Sequence, residues 1–182
     1  CRSCMLSSSS IYCGKRFKNG RDTRFIFERI GYSCKMNEIE AAIGLGNIKL
    51  WPEYLSLRRK NLFYLFEQFG KFSPDLLTIE ENNYEKIGPH AFPVLVGRKV
   101  GFSRDQLVDY LMKRGIDSRS LFQCMPTQCP GFGFLGYKTG DFPVSEYIGN
   151  HGFHIGIHQG LNPRHMKFFI KTLEKFLLEN NR

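Results

Sequence analysis

The sequence lacks any apolar run long enough to cross a bilayer, which excludes a membrane-spanning helix. The opening residues, Cys1-Arg2-Ser3-Cys4, do not read as a secretory leader, because no apolar stretch follows a basic start. An initiating methionine is missing too, so the chain is expected to be a piece of a longer protein. There is no internal repeat, and no low-complexity tract beyond Ser7–Ser10. Acidic residues are in short supply: 17 Asp and Glu against 26 Lys and Arg leave a net charge of +9. That sign suits nucleic acid, an anionic membrane or a phosphorylated ligand. The basic residues are scattered among acids, however, and Arg58-Arg59-Lys60 falls on a helical pattern as a solvated face. Nucleic acid and membrane are therefore not expected partners, and an anionic small molecule fits the charge at least as well. The six cysteines, at 1, 4, 13, 34, 124 and 129, are not spaced as a secreted disulfide framework. Reduced thiols in the cytoplasm are expected.

What is present can bury one substantial core or two modest ones, since hydrophobic residues make up 42% of 182. Residues 1–24 read as a polar loop. Asn37 and Glu40 form a capping box for a helix with apolar Met36, Ile39, Ile43 and Leu50. Ala41, Ala42, Gly44 and Gly46 give it a narrow surface. Pro52 is expected to open a second helix, striped by Leu55, Leu62, Leu65, Phe66 and Phe69 and stopped by Gly70. Strands are predicted over 74–80 and 90–97, the second placed at an edge or bulge by Pro93. Ser103 and Gln106 cap a helix ending at Gly115, and a short strand follows at 116–119. Five Gly and three Pro make 124–143 a loop. A short helix over 144–150, a strand over 153–157 and a last helix from Asn162-Pro163 complete the chain. The last helix is striped by Met166, Phe169, Ile170, Leu173, Phe176 and Leu177. From residue 71 onward this order predicts a small α+β domain with helices on one face of a sheet.

Several stretches carry a likeness in order and approximate spacing. The first is Gly31-Tyr32-Ser33-Cys34-Lys35-Met36 with the Ala41-Ala42-Ile43-Gly44 helix, and the second is Arg58-Arg59 on its long helix. The third group is Gly115-Ile116-Asp117-Ser118-Arg119, Gln128-Cys129-Pro130-Gly131-Phe132, Phe142-Pro143-Val144-Ser145-Glu146 and Ile155-Gly156-Ile157-His158-Gln159-Gly160-Leu161. From about residue 25 to its end the chain resembles the C-terminal portion of sugar aminotransferases of the DegT/DnrJ/EryC1/StrS type.

The resemblance implies an α/β architecture of the fold-type I class. Residues 1–70 would be the tail of the large cofactor domain with connecting helices, and 71–182 the small domain. It further implies a homodimer, a pyridoxal 5′-phosphate cofactor, a nucleotide-linked keto-sugar as amino acceptor and glutamate as donor. The Schiff-base lysine of the family lies upstream of the Gly-Tyr segment, so no catalytic residue is assigned and the isolated chain is expected to be inactive. Ser33, where the family has Asn, and Lys35 are the expected contacts to the cofactor phosphate of the partner subunit. Arg119 and His158 are the expected substrate-side residues. Cys1, Cys4 and Cys13 resemble the cysteine loop of the related iron–sulfur sugar 3-dehydrases, but three ligands at altered spacing make unligated thiols the expectation and no metal is assigned. A dehydrase fragment and a non-catalytic dimerisation module are the alternatives to an aminotransferase.

Overall fold

Asn37 starts the first long helix by the reciprocal contacts its sequence predicts. Its side-chain oxygen accepts from the Glu40 N–H at 2.9 Å, and Glu40 accepts from the Asn37 N–H at 2.9 Å. The computed structural model describes residues 17–18, 21–22, 32, 34, 36–121 and 125–180. Helix α1 runs over Glu38–Phe69 without a break. The two helices expected either side of Pro52 are therefore one. Pro52 has no N–H for the Ile48 carbonyl, normally a penalty of about 3 kcal/mol. Ile48 is exposed, however, so water can satisfy the freed carbonyl. The apolar positions Met36, Ile39 and Ile43 at the start of the helix are exposed as well.

The chain divides into two compact units, residues 1–45 and 46–182. In the first, strands β1 (Phe17–Lys18) and β2 (Arg21–Asp22) pair antiparallel, a small departure from the loop expected there. The second holds β3 (Leu76–Leu77), β4 (Ala91–Val96), β5 (Ser118–Ser120) and β6 (Gly152–Gly156) in one antiparallel sheet of order β3-β4-β6-β5. Its other helices are α2 (Arg104–Met112), α3 (Pro143–His151) and α4 (Pro163–Asn180). Ser103 and Gln106 close the predicted capping box on α2. Gly115 leaves that helix at φ +76°, a conformation that favours glycine. Between β5 and α3 lie two short 3-10 turns, Pro126–Gln128 and Pro130–Leu135.

Pro93 lies in β4, which has neighbours on both sides, so the strand is interior and not an edge. The conflict resolves locally. β3 pairs only with Leu95 and Val96. At Pro93 the ladder on that side has already ended, and the Thr78 hydroxyl donates to the Pro93 carbonyl at 2.6 Å. A residue's N and O point to the same side of a strand, so the missing N–H of Pro93 costs no ladder bond.

Alternation along β4 buries Phe92, Val94 and Val96 on one face. Phe153 and Ile155 of β6 join them. Leu62, Leu65 and Phe69 of α1, Leu107 and Leu111 of α2, and Met166, Phe169, Ile170, Leu173 and Phe176 of α4 complete one core. Phe92 sits among aromatic rings, 5.1 Å from Phe69 and 6.0 Å from Phe66, centroid to centroid. The opposite face of the sheet carries Pro93, His154 and Arg119, which are register partners across β4, β6 and β5.

Candidate ligand-binding site

Two residues of α1, one turn apart, fix the loop that follows β6. Buried Asn61 donates to the carbonyls of His158 (3.4 Å) and Leu161 (3.2 Å). Arg58 donates through Nε to Gln159 Oε1 at 2.9 Å and through Nη1 to the Pro89 carbonyl at 3.3 Å. Spacing i, i+3 puts both on one helix face. Within the loop, the Gly160 N–H donates to His158 Nδ1 at 3.1 Å. That bond fixes the neutral tautomer with its proton on Nε2, which makes Nε2 a donor.

The arrangement gathers Arg58, His90, Asp117, Arg119, His154 and His158 around a cavity of about 300 Å³. Arg119 and His158, expected separately from sequence, thus line the same pocket. Arg58, His90, Asp117 and His154 were not expected there. Arg119 is exposed and, among the described residues, has no hydrogen-bond or ion-pair partner, Asp117 included. The rings of His90 and His154 lie 6.3 Å apart. Burial holds the His154 imidazole below its usual titration range, and the positive charges of His90 and Arg119 push it the same way. Ser118 of β5 also borders the pocket, and its side-chain oxygen is buried with no partner among the described residues.

Two guanidiniums and three imidazoles against one carboxylate give the pocket a lining rich in hydrogen-bond donors. Among the described residues no group of three or more His, Cys, Asp or Glu is placed to hold a metal, so the imidazoles do not read as a metal cluster. Ser33, Lys35, Cys1, Cys4 and Cys13 lie outside the described residues.

Two further networks shape the borders of this unit. Arg59 grips Glu81 through two nitrogens at 2.8 and 2.7 Å, and both hold Ile87, Arg59 at its carbonyl and Glu81 at its N–H. The hydrogen bond from Arg59 is the main cause that lowers the Glu81 carboxyl to about 2, helped by the Ile87 N–H. On the other border Glu146 accepts from Gln128 at 2.6 Å and from the N–H of Gly140 at 2.8 Å. Those bonds lower its carboxyl as well and tie the glycine-rich loop to α3.

The model of the DegT/DnrJ/EryC1/StrS aminotransferase family matches residues 9–174. The chain belongs to that family. It is 29% identical over 174 residues to the lipopolysaccharide biosynthesis protein RfbH of Salmonella typhimurium, covering 90% of this chain and 39% of that protein. It is 27% identical over 133 residues to the dTDP-4-amino-4,6-dideoxy-D-glucose transaminase of Escherichia coli, covering 72% and 36%. The crystal structure of GDP-4-keto-6-deoxymannose-3-dehydratase with a trapped PLP-glutamate geminal diamine superimposes with a TM-score of 0.71 at 25% identity, covering 82% of this chain and 39% of that one. The fold is therefore that of the C-terminal part of the fold-type I sugar aminotransferases. The family chain spans about two-fifths of the length of these relatives. Among the described residues no helix is long and apolar enough to cross a membrane.

Proposed function

We propose that the chain is the C-terminal part of a pyridoxal-phosphate-dependent enzyme that transfers an amino group from glutamate to the ketone of a nucleotide-linked sugar. The observation that carries this reading is the family match, together with a pocket in which Arg119 and His158 stand beside a second guanidinium. When bound, the cofactor supplies an electron sink at the carbon that gains or loses the amine. The residues of this chain fit its negatively charged periphery and that of the substrate. Ser33 and Lys35 are proposed to hold the cofactor phosphate of the partner subunit in a homodimer. Arg119 of β5 and the Nε2–H of His158, the latter on the loop that Arg58 and Asn61 keep in place, are proposed to hold and orient the substrate. The Schiff-base lysine belongs to the upstream segment, so the isolated chain is inactive in this reading. Residues 1–70 then end the large domain and its connection, and 71–182 form the small domain. The cysteine spacing, unlike that of a secreted disulfide framework, supports a reducing, cytoplasmic setting.

Likeness to a 3-dehydratase structure favours a second reading, loss of a sugar hydroxyl. One experiment separates the two. The upstream-extended enzyme is incubated with a nucleotide-linked 4-keto-sugar and glutamate, and the sugar product is analysed by mass spectrometry. Transamination replaces the ketone oxygen with an amine and converts glutamate to 2-oxoglutarate, releasing no ammonia. A deoxy product with free ammonia would establish dehydration. Turnover by residues 1–182 alone would overturn the assignment of the lysine to the upstream segment. Mixing Lys35→Ala with a variant lacking that lysine should restore part of the activity if Lys35 serves its neighbour's site.

A further inference from the structure

We infer that a separate cavity, between α4 and the ends of β5 and β6, binds a small phenol, an aromatic ring that carries a hydroxyl. The inference goes beyond the functional reading above and does not rest on it. The cavity has a volume of about 340 Å³, within the range of small-molecule sites. It is lined by Ile155, whose side chain faces the core while that of His154 faces the other way, so it lies on the α4 side of the sheet. Asp117, Gly156 and His158 border both this cavity and the pocket described above.

The lining is mostly carbon. Buried Ile155, Met166 and Phe169 are joined by half-buried Ile116 and Leu161 and by Phe168. Phe168 stays 51% exposed, whereas Phe169 and Phe176 of the same helix are buried. Its ring pairs with no other ring among the described residues. Two phenylalanine rings and a methionine sulfur favour an aromatic guest over an aliphatic one.

Three polar side chains border the same cavity. His165 Nδ1 accepts from the Asn162 N–H at 3.2 Å, just as His158 Nδ1 accepts from the Gly160 N–H. Both imidazoles therefore carry a proton on Nε2 and present a donor. Asp117 is exposed, has no hydrogen bond or ion pair among the described residues, and presents acceptors. This mixture selects the polar end of the guest. A carboxylate would satisfy the imidazoles but meet the charge of Asp117. An ammonium would pair with Asp117 but face two N–H groups. A hydroxyl accepts and donates at once and carries no charge.

The test follows the methyl signals of Ile155 and Met166 by NMR at about pH 7.5. The probes are 4-methylphenol, toluene, 4-methylbenzoate and 4-methylbenzylamine. 4-Methylphenol is expected to move both signals and to bind about tenfold more tightly than toluene, which lacks the hydroxyl. The two charged probes are expected to be weaker than 4-methylphenol as well. Phe168→Ala is expected to weaken 4-methylphenol about tenfold, with unchanged circular dichroism because Phe168 is half exposed. Asp117→Asn removes the charge and keeps an acceptor, so 4-methylbenzoate should gain about tenfold while 4-methylphenol changes little. The inference fails if toluene binds as tightly as 4-methylphenol, or if no probe moves Ile155 or Met166. It fails equally if Asp117→Asn leaves 4-methylbenzoate as weak as in the parent. The titration is run on the 182-residue chain and again on the upstream-extended enzyme, with the same order expected in both. Binding by the shorter chain alone would show that upstream residues fill the cavity, and would overturn the inference.

Discussion

Replacing Ser118 by alanine should raise stability, against the usual direction of substitutions in a folded domain. The Ser118 hydroxyl is buried and has no partner among the described residues. Leaving such a group unpaired costs about 1–3 kcal/mol, and alanine removes the cost with the loss of one oxygen. Two effects oppose this gain. Alanine is a poorer strand residue, and β5 is only three residues long, but propensity differences span about 1 kcal/mol at most and are smaller between two short side chains. Ser118 is also only partly buried as a residue, which puts the gain near the low end, about 1 kcal/mol. For a protein of this size that corresponds to a rise in Tm of about 2–4 °C. Thermal unfolding followed by circular dichroism, parent beside Ser118→Ala, measures it. A lower Tm in the variant would refute the reasoning, because it would show that the hydroxyl makes a bond that stabilises the fold. Ser118→Thr serves as the control: it keeps the hydroxyl and should not share the gain.

Three other outcomes are expected. Phe92→Ala should cost about 3–5 kcal/mol in urea unfolding, since the ring is wholly buried between Phe66 and Phe69, and Phe92→Leu should cost clearly less. The folded carboxyl of Glu81 lies near 2, below its unfolded value, so its contribution is present above about 4.5 and is lost as pH falls toward 2; Glu81→Gln should flatten the fall of Tm across that window, and an unchanged pH profile would contradict the Arg59 pairing. His154 is shifted downward, so the unfolded chain binds its proton more readily. Stability should therefore decline as pH drops below about 6.5, and His154→Gln should lessen that decline in a Tm series from pH 7 to 5.

The elements legible in the sequence are those whose ends are set by local chemistry. The Asn37–Glu40 and Ser103–Gln106 boxes close as their spacing predicts, and Asn162 accepts from the Arg164 and His165 N–H groups at the start of α4. The stripe of α4 is also as read, with Met166 through Phe176 buried and Leu177 at the margin. Pro52 and Pro93 were misread for a shared reason. A proline removes one N–H, and the consequence depends on whether anything nearby needed that group. At Pro52 the freed carbonyl belongs to exposed Ile48, where water can reach it, and at Pro93 the neighbouring strand has already ended.

Most of the pocket was hidden for a different reason. Arg58, His90 and His154 are far apart in the chain, and only the pairing of β4 with β6 and the packing of α1 bring them together. Yet β6 carried a signal. His154 stands between Phe153 and Ile155, both buried, in a strand that alternates. A polar residue flanked by two core positions must face away from the core. The same rule applied to Arg119, one residue after the half-buried Ser118, puts it on that outer face once β5 is paired with β6. A histidine and an arginine on one face of an antiparallel pair, with Pro93 completing the row, are thus placed side by side by the register alone.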